Sequence, residues 1–131
     1  MNAVAIEHIV DAAGCSPWAL ADLDGLRGLC KRIVSEVGVV VVSEPVWHRF
    51  PDTSAGPGGV TGLYLLSESH LAVHSWPERG ALAINLCCCR AGVAFPWAPV
   101  LREWVGARDV VVRVLERVPD SPVERVVERG P

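Results

Sequence analysis

The sequence has no long hydrophobic run, no excess of positive charge and no paired cysteine motif. Each absence excludes a class of function. The longest apolar runs are short, as in Val37-Gly38-Val39-Val40-Val41-Val42, whereas a membrane-crossing helix needs about 20 such residues in succession. No membrane partner is expected. Lys plus Arg is 12 and Asp plus Glu is 15, for a formal net charge of −3. No basic face follows from that balance, so nucleic acid is not an expected partner. The first residues, Met1-Asn2-Ala3-Val4-Ala5-Ile6-Glu7-His8, lack the basic start of a secretory signal, and the expected location is cytoplasmic. The cysteines are Cys15, Cys30, Cys87, Cys88 and Cys89. Their count is odd and none form a Cys-x-x-Cys pair, so neither a disulfide framework nor a structural metal site is expected. Neighbours on a strand alternate faces, so the three adjacent cysteines cannot all converge on one ion. No internal repeat stands out.

What is present is enough for one well-packed domain. The 131 residues are 50% hydrophobic and 21% charged, which supports a buried core and argues against disorder. Residues 3–11 are rich in Val and Ile and read as a first strand. Ser16-Pro17 reads as a helix start, with Ser as cap and Pro in the first turn. From Trp18 to Val37, Leu20, Leu23, Leu26, Leu29, Cys30, Ile33, Val34 and Val37 recur at helical spacing, and Gly38 is placed to end the helix. Val39 to His48 reads as a long strand, and residues 51–59 have loop chemistry throughout. Val60–Leu66, Leu71–Trp76, Ala81–Cys88 and Asp109–Arg117 read as strands, and Pro96–Val105 as a second helix. Residues 119–131 read as a peripheral tail.

Short connections between successive strands favour antiparallel pairing. The predicted fold is a two-layer α+β sandwich, mainly an antiparallel sheet with two helices packed on one face. Nothing in the chain covers the other face, which suggests a dimer.

The anomaly is the polar cluster Ser67-Glu68-Ser69-His70, followed by His74, between two apolar strands. A hairpin turn with solvated histidines would account for it from composition alone. The longer stretch offers a sharper reading. Gly59-Val60-Thr61-Gly62, an apolar strand, Glu68-Ser69-His70 and then His74-Ser75-Trp76-Pro77-Glu78 resemble the prokaryotic S-adenosylmethionine decarboxylases. These are small proenzymes that cleave themselves and depend on a pyruvoyl group. Trp47-His48-Arg49-Phe50 upstream, Cys89 after the next strand and Pro96-Trp97 downstream extend the resemblance to about residue 117.

The resemblance implies a cut between Glu68 and Ser69, giving chains 1–68 and 69–131. Ser69 would become the pyruvoyl group, a covalent cofactor that holds the substrate amine as a Schiff base and draws in electrons as carbon dioxide leaves. His74 and Thr61 would serve the processing step, Thr61 standing where the family usually has Ser. Cys89 would return the proton, as a largely protonated thiol can. Cys87 and Cys88 read as packing residues. Phe50, Trp47 and Glu78 could contact a small-molecule substrate; core packing competes for the two aromatics and a solvated turn for Glu78. On a regular strand, His74 and Ser69 would point to opposite faces, so a kink or an approach across strands would be needed.

Four departures bear on substrate. Asp11-Ala12-Ala13 lacks the family's usual aromatic, Asn85 replaces an Asp, Arg90 replaces the glycine after the cysteine, and the 51–59 loop is long. The first expectation is S-adenosylmethionine decarboxylation, feeding polyamine synthesis, by a homodimer of cleaved protomers. Decarboxylation of free arginine or ornithine and a non-cleaving regulatory subunit are the alternatives.

Overall fold

The computed structural model describes residues 4–89 and 94–120 and, as backbone, the strand 126–130. Its elements are β1 (Ala5–Ala13), α1 (Pro17–Leu20), α2 (Leu23–Val37), β2 (Val46–Arg49), β3 (Val60–Leu66), β4 (Ser69–Trp76), β5 (Ala81–Cys88), α3 (Trp97–Val105), β6 (Asp109–Arg117) and β7 (Val126–Gly130). The strands form one sheet in the order β2-β3-β4-β5-β1-β6-β7, and each adjacent pair is antiparallel. The helices lie on one face, so the architecture is the α+β sandwich that the sequence predicts.

Alternation decides which residues face the helices. Leu71 and Val73 on β4, Leu82, Ile84 and Leu86 on β5 and Val10 on β1 are fully buried. They meet Leu26, Leu29, Cys30 and Ile33 of α2 and Val100 and Leu101 of α3 in one continuous core. Burying each such aliphatic side chain stabilises the fold by roughly 1.5–3 kcal/mol.

Three local expectations are corrected. The single helix from Trp18 is two: Ser16 caps a four-residue turn, and Asp22 then caps α2 by accepting from the Gly25 amide at 3.0 Å. Asp22 is extended, with φ −84° and ψ 97°, and that breaks the helix. The long strand Val39–His48 is reduced to an isolated bridge at Val41, opposite Leu66, and the short β2. Pro45 stands between them and has no N–H to give to a ladder. Within the tail, Val126–Gly130 pairs as an edge strand on β6; residues 121–125 and 131 lie outside the described residues.

Gly62 has a packing reason. A Cβ there would meet the Trp47 ring at 2.5 Å. The indole instead lies flat across β3 and meets Tyr64 edge-on, with ring centroids 5.7 Å apart.

Candidate active site

The face of the sheet away from the helices carries the polar chemistry. The β3–β4 hairpin turns through Ser67 and Glu68, and Ser69 is paired with Leu66 across it. Ser69 has φ +109° and is the only non-glycine residue with positive φ among the described residues. That region is unfavourable for a side chain and costs of order 1–3 kcal/mol; such strain clusters at functional sites. It also answers the alternation problem in part. Leu71, Val73 and Ser75 point inward and His70 and His74 outward, and the twist at Ser69 brings its Oγ to 3.2 Å from His70 Nδ1, on the outer face.

From there the contacts run across the sheet. His70 Nε2 lies 3.0 Å from Asn85 Oδ1 on β5. An amide oxygen only accepts, so Nε2 carries the proton and Nδ1 is free to accept from the Ser69 hydroxyl. His70 is also the register partner of Cys87. Cys87 and Cys88 are buried, as packing residues are, whereas Cys89 is exposed just beyond the strand. Arg90 lies outside the described residues.

A second polar pair sits at the other end of β4. Thr61 Oγ1 and His74 Nδ1 are 2.9 Å apart, and Thr61 and His74 are register partners. Beside them opens a cavity of about 530 Å³, lined by Phe50, Thr61, His74, Trp76 and Glu78 and walled by the 51–59 loop. Phe50 stacks edge-on against His48, centroids 4.5 Å apart, and the rings of Trp76 and His74 are 5.9 Å apart. Asp52 braces the loop. Its carboxylate accepts from the Gly58 amide at 3.0 Å and pairs with Arg49 at 2.9 Å. These contacts hold its pKa below the ordinary carboxylate value, the Gly58 amide contributing most.

The structure therefore brings the expected residues together in two groups. Glu68 and Ser69 lie at one end of β4 and Cys89 just past the neighbouring end of β5; Thr61, His74, Phe50 and Glu78 lie at the other end. Trp47 joins neither group. It turns toward the helices and packs against the core. The sequence pattern assigned His70 no role and marked Asn85 only as a departure bearing on substrate; the register of β4 and β5 is what puts the two in contact. Among the described residues, no group of three His, Cys, Asp or Glu could hold a metal ion, and no helix is long and apolar enough to cross a membrane.

The chain is thus a small α+β protein with one antiparallel sheet, helices on one side and a strained serine beside a histidine on the open face. Comparison with known proteins makes the assignment specific. The S-adenosylmethionine decarboxylase family pattern matches residues 6–118, and the chain belongs to that family. The S-adenosylmethionine decarboxylase proenzyme of Pyrococcus furiosus is 33% identical over 89 residues, covering 68% of this chain and 60% of that protein. The chain thus spans less than two thirds of that relative's length. The proenzyme of Moorella thermoacetica is 33% identical over 119 residues, covering 89% of this chain and 90% of the relative. The crystal structure of the adenosylmethionine decarboxylase from Aquifex aeolicus superposes with a TM-score of 0.75 at 21% identity, over 94% of this chain and 99% of that one; it shares the fold.

Proposed function

We propose that the chain is a self-processing, pyruvoyl-dependent decarboxylase acting on S-adenosylmethionine, and that it works as a homodimer of cleaved protomers. The observation that carries this reading is the Glu68–Ser69 junction. A serine in a strained conformation, with its hydroxyl on a histidine nitrogen, is poised to attack the carbonyl before it. Such a hydroxyl is a weak nucleophile until a base assists it.

The residues present fit a group made from Ser69. It would stand at the end of β4 on the open face, with exposed Cys89 beyond the end of the next strand. A pyruvoyl group there supplies an electron sink as the carboxylate leaves. Cys89 donates the proton that replaces it. Phe50 and Trp76 offer ring faces to a nucleobase and to a sulfonium cation, and Glu78 adds one carboxylate at the cavity rim. These features favour S-adenosylmethionine over a free basic amino acid. The decarboxylated product would serve as an aminopropyl donor for polyamine synthesis.

Distance supports the dimer. Ser69 and His74 are five residues apart on an extended strand, about 17 Å at roughly 3.3 Å per residue. One protomer cannot bring the pyruvoyl position and the Thr61–His74 cavity together. The open face also exposes Leu63 at 52%, Leu65 at 58% and Val46 at 68%, an apolar surface that water does not favour. A two-fold axis lying between two such faces and crossing β4 near Ala72 would place Ser69 of one copy over the cavity of the other.

Mass spectrometry of fresh full-length protein tests the processing: fragments 1–68 and 69–131 with a blocked second terminus are expected. An intact chain with full turnover would end the reading. Carbon dioxide release from S-adenosylmethionine, arginine and ornithine in parallel tests the substrate, and activity on a free amino acid alone would reassign it.

A further inference from the structure

Resting on that reading, we infer that His70, oriented by Asn85, is the base that activates Ser69 for chain cleavage. His74, to which the resemblance gives a processing role, stands at the far end of β4 in its own protomer and would meet Ser69 only across the proposed dimer. His70 is already in contact. Its Nδ1 lies 3.2 Å from Ser69 Oγ and its Nε2 lies 3.0 Å from Asn85 Oδ1. The order is nucleophile, imidazole and orienting acceptor, the arrangement by which a hydroxyl is activated on unrelated folds. Asn85 fixes the tautomer by accepting a hydrogen bond from the Nε2–H, so the lone pair of Nδ1 faces the hydroxyl. The imidazole is held between β4 and β5, whose pairing begins at His70–Cys87 and runs from there to Trp76–Ala81.

The step is an isomerisation. The Ser69 Oγ–H proton passes to His70 Nδ1 as Oγ bonds to the Glu68 carbonyl carbon. The bond from that carbon to the Ser69 nitrogen breaks, and the nitrogen takes the proton back from His70. An amide becomes an ester and a free amine, with nothing gained or lost. Asn85 is a positioning residue. It is neutral, so it aligns the imidazole without adding a negative charge to stabilise the imidazolium that forms.

Cell-free translation of the full chain, followed on denaturing gels, tests this. Wild type is expected to convert to two fragments. His70→Ala should cut at least about 100-fold more slowly, the usual contribution of a general base. It should also stay resistant to hydroxylamine, because the ester never forms, and added imidazole should restore part of the rate. Asn85→Leu should slow cleavage about tenfold, and Asn85→Asp should restore or exceed the wild-type rate, since a carboxylate also accepts from Nε2. A merely structural role for Asn85 would give no such difference between the polar replacement and the apolar one. Cleavage of His70→Ala at the wild-type rate overturns the inference, and so does its accumulation as a hydroxylamine-labile ester. Should circular dichroism show His70→Ala unfolded, the Asn85 pair decides by the same criteria. An uncut wild-type chain overturns the proposed function itself; a cut wild type with normal His70→Ala overturns this inference alone.

Discussion

Ser69 and His74 share one strand and one stretch of open sheet, yet stand at its opposite ends. Each has its own partner: His70 for Ser69, and Thr61 for His74. That separation makes the site incomplete in a single protomer if both groups serve one reaction. Complementation follows from it. Ser69→Ala and His74→Ala should each lack decarboxylation alone. Co-expressed, they should form mixed dimers in which one of the two sites is whole, recovering up to about a quarter of wild-type activity at random pairing (half of the dimers mixed, each with one good site). No recovery in verified mixed dimers would place the whole site within one chain.

The cavity beside His74 should govern substrate binding rather than chain cleavage. Phe50 and Glu78 line it, and Ser69 does not. Phe50→Ala should raise KM for S-adenosylmethionine about tenfold, equivalent to about 1.4 kcal/mol, while the two fragments still form. Glu78→Gln should behave similarly. Steady-state kinetics beside a denaturing gel separates the two effects; loss of cleavage in either variant would tie the cavity to processing.

How much of this was readable from the chain differs by level. Strands β3, β5 and β6 and helix α3 follow their hydrophobic periods closely, because each buries one clean face. The break between α1 and α2 was hidden inside a continuous apolar period: Leu20 and Leu23 keep helical spacing while Asp22 changes the backbone. The four valines from Val39 argued for a long strand, and the Pro45 hydrogen-bonding defect outweighed their propensity. At the site, the motif pointed to Ser69, but its contact with Asn85, reached through His70, depends on a strand register between residues 15 apart in sequence. Local patterning carries no such information. Trp47 and Phe50 looked alike as aromatics near the motif; the pleat sends Trp47 to the core and leaves Phe50 at the cavity.

The cysteines should separate sharply in reactivity. Cys89 is exposed, whereas Cys30 is buried and its thiol is pushed up to about 12, chiefly by that burial. Thiolate is the reactive form. At pH 8, iodoacetamide should therefore modify Cys89 first and leave Cys30 intact until the protein unfolds, as peptide mapping would show. Cys89→Ala should still cleave at the Glu68–Ser69 bond and lose most decarboxylation. If it retained full turnover, another group would have to supply the proton.

Gly62 offers a test of the scaffold apart from the chemistry. A methyl group at this position would press into the Trp47 ring, which leans on Tyr64 behind it. The ring must shift, since overfilling a packed site costs about 1–3 kcal/mol. Gly62→Ala should lower the free energy of unfolding by that amount in urea titration. The double variant Gly62→Ala, Trp47→Ala should show a smaller combined loss than the two single changes added together, because removing the indole removes the clash. Strict additivity would mean that the indole is not what Gly62 accommodates.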